Sequence, residues 1–72
     1  MIVKNNLKPH QQRVLDEKID LDEKLIKLRA FFDTEIFVGL DEKEKSRLIR
    51  QLTHMDGYSA ALADRIAAFS NS

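Results

Sequence analysis

The side chains whose types and spacing suggest chemistry are cations, amides and a single phenol, and the chemistry they suggest is anion binding. Lys24 and Lys27 stand three residues apart on one face of a helical stretch, with Arg29 just beyond. His10, Gln11, Gln12 and Arg13 crowd the first turns of the same stretch, where free N–H groups and the positive end of the helix dipole favour anions. Tyr58 and Arg65 are seven residues apart, on one face of a second helical stretch. Taken singly, each set is an ordinary solvated helix surface. Brought together from several subunits, they could cradle a compact ligand with two or three charges and flat bases. Lysine or arginine would meet its phosphates, and an aromatic or guanidinium plane would stack on its bases.

Catalytic chemistry finds less support. Carboxylates are paired at Asp16-Glu17, Asp22-Glu23 and Asp41-Glu42. Neighbours on a helix point about 100° apart, so such pairs do not converge on one substrate atom. General acid–base work also needs a shielded pocket to shift a pKa. The sequence has no glycine-rich phosphate loop, no HExxH and no serine in a nucleophile-elbow setting. Cysteine is absent, which excludes disulfides, thiolate metal sites and a cysteine nucleophile. Two histidines, His10 and His54, are too few for a zinc centre. The His54-Met55-Asp56 cluster reads as helix surface. No catalytic residue, metal or cofactor is expected.

These side chains need a frame, and 72 residues make one small domain. So short a chain buries only about 60% of its unfolded surface, and scaffolds of this size usually add a staple. With disulfides and metals set aside, self-association remains. Twelve basic and twelve acidic residues are interspersed to a net charge of zero, without the basic stripe that grips long nucleic acid. No apolar run approaches the roughly 18 residues of a membrane span. Neither long nucleic acid nor a membrane is therefore an expected partner, and a cytoplasmic address is the default.

The pattern is helical throughout. Residues 1–8 mix Ile2, Val3 and Leu7 with polar residues and read as an N-terminal arm, ordered only if it docks; 9–70 read as one helical-hairpin domain. Pro9 suits a first helical turn. Val14, Leu21, Leu25, Leu28 and Phe32 then follow spacings of seven, four, three and four, which is one helix face. Leu15, Ile19, Ile26 and Ala30 define a second face beside it. Either the two merge into one wide stripe around a partner helix, or the second meets another subunit; the second alternative is the expectation.

Periodicity breaks between Asp33 and Leu40, with Gly39 marking the turn. Asp41 and Glu44 form a capping-box pattern for a second helix. Its stripe is Leu48, Leu52, Met55, Leu62, Ile66 and Phe69, with a gap at Ser59. Gly57 predicts a kink or brief irregularity. Ala60, Ala61, Ala63, Ala67 and Ala68 suit close intersubunit packing, and Asn71 and Ser72 should fray. Asp20–Lys24, Glu23–Lys27 and Asp41–Lys45 are spaced for i, i+4 ion pairs. The expected fold is all-α: an antiparallel helical hairpin with a short N-terminal arm and a kinked second helix, assembling as a homo-oligomer.

Certain motifs carry a resemblance. Arg13-Val14, Asp16-Glu17-Lys18, Leu21-Asp22, Lys24, Lys27-Leu28 and Phe31 form one set; Gln51, Met55, Tyr58-Ser59, Leu62, Arg65-Ile66 and Phe69 form another. Across His10 to Phe69 the chain resembles the phage anti-CBASS sponge proteins. Some relatives have been grouped with crustacean neurohormones, but a cysteine-free chain cannot carry the disulfide framework of such a hormone. Sponges of this family capture the cyclic oligonucleotide messengers of a bacterial antiphage system and keep them from the effector.

The resemblance implies a compact helical homohexamer acting in the cytoplasm of the infected bacterial host, a device of immune evasion. It also implies separate intersubunit sites for cyclic dinucleotides and cyclic trinucleotides. Lys27 matches a lysine that holds cyclic dinucleotide phosphates, and Arg29 occupies the assisting polar position two beyond it. The family stacks an aromatic near the start of the first helix on a base. This sequence has none there, so His10 or Gln12 would have to serve. Arg65 matches an arginine lining the trinucleotide site, with His10 and Arg13 supplying its remaining contacts. The rival expectation is a helical oligomerisation or protein-interaction module without a nucleotide ligand.

Overall fold

The computed structural model describes residues 7–69. Three helices follow one another: α1 (Pro9–Phe31), α2 (Glu35–Val38) and α3 (Glu42–Phe69). The two long helices pack antiparallel as a rod with principal extents of 48 × 17 × 16 Å. All but Leu7 and Lys8 of the expected N-terminal arm, and the fraying expected at Asn71 and Ser72, lie outside the described residues.

Each helix boundary has a chemical cause. Lys8 is extended ahead of α1, Pro9 takes the first helical position, and the Gln11 side-chain oxygen accepts the Lys8 N–H at 2.9 Å. Thr34 serves two helices at once. Its hydroxyl donates to the Phe31 carbonyl at the end of α1 (2.7 Å) and accepts the Phe37 N–H as the cap of α2 (3.2 Å). Asp41 opens α3 as expected, its carboxylate accepting the Glu44 N–H at 2.8 Å. Asp41 is thereby committed, and Lys45 reaches Glu42 instead, at 3.5 Å. Neither Asp20–Lys24 nor Glu23–Lys27 closes an ion pair among the described residues. On α1, Lys18–Asp22 closes instead.

The connection holds a helix that the sequence pattern missed. Four residues of α2 are too few to show a period. The turn is fixed by aromatic contacts: Phe37 stacks on Phe32 with centroids 4.5 Å apart, and meets Phe31 edge to face at 6.1 Å. The Lys45 ammonium lies 5.8 Å from the Phe37 ring centroid. Gly39 does end α2, yet its φ of −81° is open to any residue, and an added Cβ would meet only ordinary contacts.

Both glycines behave plainly. α3 runs through Gly57 as the one long helix expected, with no break in its helical residues, and a Cβ at that position would meet nothing within 4 Å. A helical glycine loses more backbone entropy than alanine but keeps its hydrogen bonds, so it has no need to break the helix.

The core is the expected pair of stripes, thinned to its centre. Val14, Leu21 and Leu25 of α1 close over Leu62 of α3, which is 1% exposed, and Leu52, Met55, Ile66 and Phe69 pack around them. Leu28, Phe32 and Leu48 are half-buried. The second face of α1 stays outside this core. Ile19 is 58% and Ile26 66% exposed, Ala30 is exposed and Leu15 is half-buried. One wide stripe covered by α3 is therefore ruled out within the hairpin.

Candidate ligand-binding groove

Beside the core, on the flank that carries Ile26, α1 and α3 leave an open groove of ≈ 450 Å³. Its α1 wall is set by spacing. Lys18, Asp22 and Arg29 stand four and seven residues apart, so they align along one shoulder of the helix. Asp56 and Ser59, three apart, answer them from α3. Leu25, Ile26, Ala60 and Ala63 supply apolar surface between these polar groups.

Ser59 sits at the gap in the α3 stripe, and the gap has a purpose. Its hydroxyl donates to Asp22 Oδ1 at 2.7 Å and accepts from Lys18 Nζ at 3.1 Å. Lys18 Nζ also donates to Asp22 Oδ2 at 2.6 Å. The three groups form a closed cycle across the two helices, with the Lys18 side chain only 24% exposed. Hydrogen bonds from Lys18 and then Ser59 hold the Asp22 pKa below its ordinary value, against a smaller opposing effect of burial; the charges of Lys18 and Arg29 add to the lowering. Nearer the connection, the Arg29 guanidinium donates to Asp56 Oδ1, and this pair also spans α1 and α3.

This arrangement suits holding and orienting a ligand better than activating a nucleophile. A serine nucleophile needs a base to take its proton. Asp22, the acceptor of the Ser59 hydrogen bond, is held in its ionised form by two donors and is correspondingly weak as a base. The adjacent carboxylates diverge as expected, with Asp22 half-buried in the groove and Glu23 exposed. His54, Met55 and Asp56 likewise separate: Met55 packs on the core, Asp56 lines the groove and His54 is exposed.

The six anticipated ligand-binding residues are all exposed. Antiparallel packing divides them between the two ends of the rod. His10, Gln12 and Arg13 near the start of α1, and Arg65 near the end of α3, belong to the open end of the hairpin. Lys27 and Arg29 belong to the end beside the connection. Gln12 donates to Asp16 Oδ1 at 3.1 Å.

Lys27 and Arg29 do not share a side of α1. Two residues along a helix are about 200° apart. Arg29 turns into the groove, whereas Lys27 points away from α3 and has no hydrogen-bond or ion-pair partner among the described residues. Some fifteen residues of helix separate Lys27 from Gln12, about 22 Å along the axis. Of the six, only Arg29 lines the groove. Lys18, Asp22, Asp56 and Ser59 escaped the sequence reading. The lone hydroxyl interrupting an apolar stripe was the signal that pointed to them.

A family comparison supplies what geometry alone does not. The Sequestin family model matches residues 8–68, and the chain belongs to that family. Membership means sequestration of a signalling molecule, a binding role and not a catalytic one. It agrees at this level with the resemblance seen in the motifs. No curated protein and no solved structure matches the chain. No helix among the described residues is long and apolar enough to cross a membrane.

Proposed function

We propose that this Sequestin binds cyclic oligonucleotide second messengers, cyclic dinucleotides and cyclic trinucleotides, and withholds them from bacterial CBASS antiphage immunity in the cytoplasm of a phage-infected host. Family membership across 8–68 is the observation that carries this reading. Sequestration requires tight, slow-releasing capture and enough copies to exceed the messenger, with no chemical step.

The working form is a homo-oligomer, a hexamer by the resemblance stated above. Two observations support assembly. Ile19 and Ile26 are exposed on the face of α1 that α3 leaves open. The residues assigned to one dinucleotide site are also too far apart within a protomer. With Lys27 about 22 Å from Gln12, a stacking side chain beside Lys27 must come from another copy. Sites between subunits suit a sponge, because assembly orders the binding groups before the ligand arrives.

The two ends of the rod correspond to two site types. Lys27 of one copy and Arg29 of another, since the two leave α1 on opposite sides, bind the cyclic dinucleotide phosphates beside the connection, with His10 or Gln12 of a further copy against a base. Arg65, with His10 and Arg13, binds the cyclic trinucleotide at the open end.

Native mass spectrometry with a panel of cyclic di- and trinucleotides tests this. The proposal expects an oligomer that gains discrete ligand masses, released unchanged on denaturation. Lys27→Ala should lose the dinucleotide masses and Arg65→Ala the trinucleotide masses, with assembly intact in both. An oligomer that ignores every messenger would transfer the assignment to a protein-interaction module, which the exposed Ile19 and Ile26 also favour.

A further inference from the structure

The groove holds two cations in different states of commitment. Lys18 is locked in a three-membered cycle with Asp22 and Ser59 and is mostly covered. Among the described residues Arg29 has a single partner, Asp56, and both side chains are about half exposed, at 53% and 46%. A solvated ion pair of that kind is weak, and opening it costs a competing anion no more than about fivefold in affinity. A guanidinium is also the side chain best shaped to exchange one carboxylate for the paired oxygens of a phosphate. Beside it, Leu25, Ile26, Ala60 and Ala63 offer the apolar surface on which a base can lie.

We propose that Asp56 is an internal competitor for Arg29: its carboxylate occupies the guanidinium until a phosphate-bearing ligand displaces it, and so sets the affinity threshold of the groove. The inference rests on the reading that Arg29 binds the ligand, and it deepens that reading. Asp56 sets a threshold and is never a ligand contact. It costs every anion at Arg29 the same factor, at most about fivefold, so the groove holds only ligands that gain more than this elsewhere. A base-bearing phosphodiester gains it on Leu25, Ile26, Ala60 and Ala63. In the bound state the displaced carboxylate faces water, where it is readily solvated.

The test follows the Arg29 Nε–H signal by NMR during titration with inorganic pyrophosphate, alongside calorimetry with cyclic di-AMP. Asp56→Asn keeps the shape and an acceptor oxygen but removes the charge. It should bind both probes about threefold to fivefold more tightly than the parent chain. Asp64→Asn removes a charge from another side of α3, which separates a general charge effect from competition; it should bind as the parent does. In an Arg29→Ala background, Asp56→Asn should gain nothing, because Asp56 acts through Arg29 alone. Equal pyrophosphate midpoints in the parent, Asp56→Asn and Asp64→Asn would overturn the proposal. So would a gain that survives Arg29→Ala. If pyrophosphate shows the competition while cyclic di-AMP binds nowhere, the internal competitor stands and the cyclic-dinucleotide assignment falls.

Discussion

Leu62→Ala is the substitution that this architecture should tolerate least. Leu62 is the one fully buried large side chain among the described residues, and it inserts between Val14, Leu21 and Leu25 of the opposite helix. Truncation removes the contact that three α1 residues share. Leucine-to-alanine changes in such sites cost 2–5 kcal/mol, depending on how far the surroundings collapse. Two helices able to tilt toward each other partly fill the hole, so we expect about 3 kcal/mol. A domain of this size has only ~3–9 kcal/mol in total at typical stability per residue. The variant should therefore lose at least about a third of its stability, and all of it at the lower bound. Urea denaturation followed by far-UV circular dichroism measures this, repeated over a range of protein concentrations to separate folding from assembly. Because Leu62 acts within the chain, its loss should be the same at every concentration. A loss under about 1 kcal/mol, or one that grows with concentration, would refute the assignment of the core to Val14, Leu21, Leu25 and Leu62.

Other substitutions probe other parts of the frame. Gly57→Ala should raise stability by about 0.5–1 kcal/mol, because the position is helical and its Cβ meets nothing; this corresponds to about 2–8 °C in thermal midpoint, and a fall would show that the face is covered. Asp22 has a lowered folded pKa, so the stability it contributes is fully present above its ordinary value of 3.8 and is lost as pH falls through the folded pKa. Ser59→Ala should move the Asp22 carboxyl back toward 3.8 in an NMR titration; an unchanged titration would dissociate the hydroxyl from the lowering. Ile19→Ser with Ile26→Ser should abolish self-association in analytical ultracentrifugation while leaving helix content intact, and an unaltered oligomer would place the interface elsewhere.

Much of the frame could be read along the chain, because its signals are local. Pro9 starts α1, Asp41 caps α3, and the apolar spacing of both helices marks the side chains that meet. The uncovered second face of α1 was legible for the same reason: a hairpin partner covers one stripe, and Ile19 and Ile26 lie beyond it. The short α2 was not legible, since its geometry comes from Thr34 and from ring contacts, and four residues carry no period. The groove was hidden for a different reason. Ser59 meets Asp22 and Lys18 across 37 and 41 residues, and no spacing rule links such partners. The divergence of Lys27 and Arg29 is different again, because it follows from helix geometry alone and needed only their separation of two.

The aromatic knot at the connection has a kinetic consequence. Phe31, Phe32 and Phe37 lie within seven residues of one another, and Thr34 ties both of the helices it touches, so this end closes with the smallest loss of chain entropy. Pairing of α1 with α3 should then zip outward from the hinge, each step bringing the next residues into range. Arg29 and Asp56 meet early in that sequence, Asp22, Lys18 and Ser59 later, and His10, Arg13 and Arg65 last. Amide exchange should grade the same way, slowest beside the hinge and the central core and fastest at the open end, where the helices part first.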